Sequence, residues 1–158
     1  MPAAAERQVL MTKISELPAN IEAVVKNLND EQLDTPCGEG EWTVRQVVHH
    51  LADSHMNSFI RLKLILTEDH PTLVAYDQEV WATLPDVGLP LEHTFSILRG
   101  LHKRWIALFE SLSEESWQRL GYHPEIGDIT PDDLLVIYAR HGEEHIEQIT
   151  RLLTAEGW

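Results

Sequence analysis

The chain has 158 residues with 26 Asp or Glu against 12 Lys or Arg, a formal charge of −14. Such a balance repels nucleic-acid backbones and anionic membrane surfaces, whose recognition begins with positive charge. Hydrophobic content of 43%, charged content of 24% and a lone cysteine, Cys37, fit one globular domain over residues 1–158 and leave no internal disulfide. Residues Met1 to Gln8 carry no basic segment followed by an apolar stretch. No apolar run approaches the ~20 residues of a membrane span. A cytoplasmic protein without leader or membrane segment is therefore expected.

Four long segments have a helical period and none alternates in the manner of a strand. The first runs from Ala3 to about Asn29, with Val9, Ile14, Leu17, Ile21, Val24, Val25 and Leu28 on its apolar face. Pro18 is expected to kink or divide it. A short turn at Asp30–Leu33 and a loop at residues 35–40 follow.

Thr43 opens the second helix, with Gln46 placed for a capping box, and the helix continues to about Leu66. Val44, Val47, Val48, Leu51, His55, Ser58, Leu62 and Leu66 form an apolar stripe. Gln46, His50, Asp53, Asn57 and Arg61 form a polar one. Met56, Ile60 and Leu64 lie on a further side, so little of the helix reads as solvated. The polar row thus reads as a cavity lining. Residues 67–90 show no clear helix, and Tyr76 and Trp81 suggest a packed loop over the bundle.

The third helix spans Leu91 to about Ser113, with Leu91, Phe95, Leu98, His102, Trp105, Phe109 and Leu112 on a 4-3-4-3 seam. The fourth starts at Thr130, with Pro131 in its first position and Asp133 three residues past the cap, and runs to about Ala155. The expected fold is all-α, an up-down-type four-helix bundle with a long loop between helices 2 and 3.

Chemistry concentrates on the histidines. His141 and His145 are one turn apart on the arc that also carries Leu134, Tyr138, Ile149 and Leu152. Two inward imidazoles are either core histidines bonded to other side chains or ligands of a divalent metal. His50 is the candidate third ligand, because of the adjacent pair His49–His50 only one can share a face with Asp53 and Asn57. Asp53 is a candidate for orienting a ligand, against a solvated carboxylate or a partner of Arg61. His55 and His102 read as satisfied core histidines; His70, His93 and His123 read as loop or surface residues. The string His141-Gly142-Glu143-Glu144-His145 matches an inverted metalloprotease pattern, but Glu144 lies toward the charged arc, paired with Arg140 as Glu147 is with Arg151. Cys37 has no nearby cation in sequence and reads as inert.

The run from Trp42 to His55 (WTVRQVVHHLADSH) closely resembles the second-helix signature of the YfiT-like group of the DinB superfamily. Tyr76-Asp77, Trp81, Leu101-His102, Arg104-Trp105, Tyr122-His123-Pro124 and Tyr138 ahead of His141 and His145 agree with it. The resemblance implies one divalent metal held by His50, His141 and His145. Imidazole ligands suit zinc or nickel, and three neutral histidines leave at least one position open to water or substrate. It implies a metal-dependent hydrolase acting on a small molecule, or in some relatives a transferase that activates a low-molecular-weight thiol such as bacillithiol. A non-catalytic metal- or ligand-binding bundle is the third reading. A homodimer is implied, and no DNA binding. Asn57, Arg61, His102 and Tyr138 are candidate substrate-binding residues. Similar proteins often carry more histidines where Gly142, Glu143 and Glu144 stand here, positions expected to face outward.

Overall fold

The computed structural model describes residues 2–158. Its four long helices are α1 (Ala4–Val25), α3 (Val44–Thr67), α5 (Leu91–Glu110) and α6 (Pro131–Glu156). Short helices α2 (Asp30–Leu33) and α4 (Gln78–Trp81) lie in the connections, as does a two-stranded hairpin, β1 (Gly121–His123) and β2 (Gly127–Ile129). The capping boxes form as the sequence suggests. Thr43 Oγ1 accepts from the Gln46 amide at 3.2 Å while Gln46 Oε1 accepts from the Thr43 amide at 2.9 Å, and Thr130 pairs with Asp133 likewise.

Pro18 neither divides α1 nor is exposed: the helix runs unbroken through it, with Pro18 buried. A proline inside a helix removes one donor and frees the carbonyl four residues back, here Ile14. That carbonyl instead accepts from Nδ1 of His102 on α5 at 2.6 Å.

The bundle is up-down-down-up. Arg7 meets Asp132, and Lys13 meets Glu143, so α1 and α6 are parallel neighbours. His49 meets Thr94 and His55 meets His102, so α3 and α5 are also parallel. The antiparallel contacts are α1 with α5 and α3 with α6. Two parallel neighbours cannot be joined by a tight turn, so the chain between α3 and α5 must return along the bundle. That requirement accounts for the long stretch at 68–90. It is more structured than the sequence suggests, holding α4 and a 3₁₀ turn at Pro85–Gly88.

The apolar core has two halves along the bundle axis. One gathers Ile14, Leu62, Ile65, Trp105, Phe109 and Leu134. The other gathers Ile21, Val48, Leu51, Leu98 and Ile149. Between them lies a layer of histidines: His50 and His55 from α3, His102 from α5, and His141 and His145 from α6. The seam expected on α5 is buried from Leu91 to Phe109. Two expectations for α3 and α6 fail. Met56 and Ile60 face solvent, at 36% and 50% exposure. Gly142 faces inward, where a Cβ would stand 2.7 Å from a Leu17 methyl. The close approach of parallel α1 and α6 favours a small residue there, since a side chain would have to displace the Leu17 methyls. No helix among the described residues is long and apolar enough to cross a membrane.

Candidate metal centre

Helical phase decides which of the paired histidines enters the layer. His49 turns toward α5, where Nε2 meets the Leu89 carbonyl at 3.1 Å and Nδ1 meets Thr94 Oγ1 at 2.6 Å. His50, 100° further round, turns toward α6. Its Nε2 lies 3.1 Å from His141 Nε2, which lies 3.2 Å from His145 Nε2. All three nitrogens are within 4.8 Å of one another, and they form the one such cluster of histidine, cysteine or carboxylate groups among the described residues.

That arrangement fits a cation. Nitrogens bound at about 2.0–2.1 Å in tetrahedral geometry are about 3.4 Å apart, close to the spacings here. Without a cation, three imidazoles aim their Nε2 atoms at one spot. Two of the three remaining ring nitrogens, Nδ1 of His145 and Nδ1 of His141, are held by protein. His145 Nδ1 contacts Gln148 Oε1 at 2.9 Å, and Gln148 Nε2 donates to Glu41 Oε2 at 2.9 Å. The Glu41 carboxylate, which only accepts, thus fixes the Gln148 amide with its oxygen toward His145, so His145 carries its proton on Nδ1 and presents a bare Nε2. His141 Nδ1 contacts His55 Nε2 at 3.2 Å, and His55 Nδ1 contacts His102 Nε2 at 3.0 Å. Trp42 packs edge-on against His50 with ring centroids 4.7 Å apart.

Asp53 makes no hydrogen bond to these imidazoles; its backbone carbonyl accepts from the Asn57 amide at 2.9 Å. The groups that orient the ring nitrogens are His55, Gln148 and Glu41. Burial, with the nearby Asp86 charge, pushes the Asp53 carboxyl up to about 6.

Beside the cluster opens a pocket of about 650 Å³ lined by Ser54, Arg61, Tyr76, His123, Tyr138 and His141, among others. Arg61 is buried and donates to the Val74 carbonyl at 2.7 Å and to Tyr138 Oη at 3.3 Å. Of the four candidate substrate-binding residues, Arg61 and Tyr138 line the pocket. Asn57 bonds its own helix, and His102 is sealed at 2% exposure behind His55. His123, expected on the surface, is instead buried on β1, because the hairpin packs against the 71–73 segment through the Leu73 amide and Tyr122 carbonyl at 2.8 Å. The loop over the bundle is pinned by Arg61 and by Gln46, whose amide donates to the Ala82 carbonyl at 2.9 Å. Tyr76 and Trp81 pack together within it, with ring centroids 4.5 Å apart.

Glu144 pairs with Arg140 at 2.6 Å on the surface, as expected, whereas Glu147 and Arg151 form no pair. The Cys37 thiol is pushed up to about 11, mainly by burial, which keeps it protonated and unreactive near neutrality.

The histidine layer makes a prediction about acid. Burial first, then neighbouring imidazoles, pushes His50 down to about 4 and His141 to about 3. Burial pushes His102 down to about 4. Each folded value lies below the unfolded ~6.5, so the stabilisation from holding these rings neutral is present above pH 6.5 and is lost as pH falls toward 4. At pH 5 each costs about 2 kcal/mol. Asp53 has the opposite sign, since its raised value favours the fold as pH drops from 6 toward 4, but it is one half-buried group against three. The urea midpoint of metal-free protein is expected to fall steeply between pH 7 and pH 5. A flat profile would show that these rings take up protons in the folded state.

A family model for the DinB superfamily matches residues 13–149. A protein from Oceanobacillus iheyensis is 47% identical over 94% of this chain and 86% of its own, and is named "Putative metal-dependent hydrolase OB0782". A Bacillus cereus protein with the same descriptive name is 46% identical over 92% of this chain and 84% of its own. Among solved structures, YfiT from Bacillus subtilis, described as a probable metal-dependent hydrolase with an unusual four-helix bundle topology, is 41% identical with a TM-score of 0.97, over 100% of this chain and 91% of its own. TT2238, a four-helix bundle protein, matches at a TM-score of 0.63 and 15% identity over 91% of this chain and 98% of its own, a likeness of fold.

Proposed function

The chain belongs to the DinB superfamily, and on that footing we propose that it is a metal-dependent hydrolase whose divalent cation, zinc or nickel, is held by His50, His141 and His145. The observation that carries this reading is the convergence of three Nε2 atoms at the wall of a large pocket, with His141 belonging to both. Imidazole nitrogens suit zinc and nickel, and three neutral ligands leave a position free. Bound there, the cation supplies Lewis acidity and lowers the pKa of a water or thiol that reaches it.

The chain's own residues prepare the rest. Arg61 donates to Tyr138 Oη, so the hydroxyl accepts from a cation and keeps its own hydrogen for an oxygen of a bound substrate. The guanidinium places positive charge in the pocket of a protein that is otherwise strongly acidic. The loop at 74–78 and the hairpin wall the pocket, and Trp42 shields one side of His50.

Metal-loaded protein assayed on a panel of small esters and amides is expected to turn over at least one of them, and chelation is expected to stop it. A parallel assay with an electrophile, with and without bacillithiol, separates the related chemistry: turnover only with the thiol reassigns the same site to thiol transfer. Stoichiometric metal uptake without turnover in either assay reassigns it to binding alone.

A further inference from the structure

Each of the four long helices contributes to the polar layer, and α1 contributes a backbone carbonyl instead of a side chain. Ile14 O is available because Pro18 has no amide hydrogen to offer it. Its contact with His102 Nδ1, 2.6 Å long, begins an unbroken line of ring nitrogens: His102 Nε2 to His55 Nδ1 at 3.0 Å, then His55 Nε2 to His141 Nδ1 at 3.2 Å. The His55 and His102 rings are nearly parallel, 9° apart. His55 is fully buried and His102 is 2% exposed, so no solvent intervenes to supply another partner.

A line of this kind has a direction. A carbonyl oxygen only accepts, so His102 carries its proton on Nδ1. Burial keeps the ring neutral, which makes Nε2 of His102 an acceptor. His55 must then donate from Nδ1 and accept at Nε2, and His141 must donate from Nδ1. The far nitrogen of His141, Nε2, is left with a bare lone pair at the point where the three imidazoles meet. We infer that Pro18, His102 and His55 form a tautomer-setting relay whose role is to present His141 Nε2 unprotonated to a cation. The inference takes the three-imidazole cluster to be the metal centre, and assigns His102 and His55 as positioning residues that touch neither cation nor substrate.

The usual partner of a metal-bound imidazole is a carboxylate, carbonyl or water. A carboxylate at His55 would bring a negative charge into a layer between two apolar half-cores. Two neutral rings instead pass the polarity of a distant carbonyl without burying charge.

The relay is testable without metal. In ¹⁵N-histidine-labelled, metal-free protein at pH 8, long-range ¹H–¹⁵N correlation spectra are expected to show His102, His55 and His141 all protonated on Nδ1. An Nε2-protonated His55 or His141 overturns the inference. In His102→Phe, His55 loses its acceptor. His55 and His141 are then expected to populate the other tautomer, and the zinc Kd from competitive chelator titration to rise about 10–100-fold. His102→Gln can donate to Ile14 O and accept from His55, so it should return the Kd to within about 3-fold of the parent while keeping the Nδ1 tautomers. A folded His102→Phe with parental tautomers and parental Kd overturns the relay. Should His102→Phe not fold, the parent spectra and the Gln variant decide. Absence of zinc binding in the parent protein counts against the metal centre, and the metal-free spectra still judge the relay.

Discussion

Replacement of His141 by alanine is expected to remove stoichiometric zinc or nickel binding from a protein that remains folded. His141 is the middle of the three imidazoles, 3.1 Å from His50 and 3.2 Å from His145 at Nε2. Without it the other two keep only their own orientation, and the site falls to two ligands. Loss of an outer partner typically weakens metal binding about 10–100-fold, so loss of the central ligand is expected to exceed that range. Binding to the native state alone stabilises by RT ln(1 + [L]/Kd), about 2.7 kcal/mol at a hundredfold excess over Kd. Zinc should therefore raise the melting temperature of the parent protein and leave His141→Ala unmoved. His49→Ala is the informative contrast. His49 adjoins His50 in sequence but bonds Leu89 O and Thr94 Oγ1, so its loss is expected to lower stability while the metal stoichiometry stays at one. A His141→Ala protein that still binds one equivalent of zinc would place the site elsewhere.

That contrast also marks where the sequence is legible. Angular position alone separates His50 from His49, and the caps at Thr43 and Thr130 are local enough to be read from four residues. The seam on α5 is legible because its burial follows a fixed period on one helix. What cannot be read is pairing between helices. His55 and His102 read correctly as core histidines, but that each is the other's partner depends on α3 and α5 lying parallel, a choice made by the long crossover. Gln148 and Glu41 are 107 residues apart and ordinary in composition, so their hold on His145 leaves no local trace. His123 looks like a surface residue until the hairpin turns it inward, and Gly142 looks outward until Leu17 is seen against it. Pro18 is the instructive intermediate. Its sequence meaning, a lost donor, is sound; the missing piece is that the freed carbonyl finds an acceptor's role in the histidine layer instead of breaking the helix.

At the end of the bundle where α1 and α6 begin, replacement of Asp132 by asparagine is expected to lower stability by about 3–5 kcal/mol. The parallel neighbours α1 and α6 bring two helix N-termini together, each carrying partial positive charge. Asp132, in the first turn of α6 and 1% exposed, answers that charge and receives a two-pronged contact from Arg7, at 2.7 Å to Nε and 2.9 Å to Nη2. Arg7 is 6% exposed, packs over the Trp117 ring at 4.3 Å, and otherwise meets only Glu114, whose side chain is 82% exposed. Removing the Asp132 charge leaves a buried guanidinium whose one remaining carboxylate is screened by solvent. The surface pair Arg140–Glu144, at 78% and 54% exposure, is by contrast expected to contribute at most about 1 kcal/mol. Since domains of this kind are stable by about 5–15 kcal/mol in all, the Asp132→Asn loss is large enough to read directly from urea denaturation at pH 7.5. The double variant Arg7→Met, Asp132→Leu removes both charges, and most of the loss should return, because a buried ion pair replaced by apolar groups is often neutral or better. A single Asp132→Asn variant within about 0.5 kcal/mol of the parent, the range of ordinary surface substitutions, would mean that water or another group already solvates Arg7.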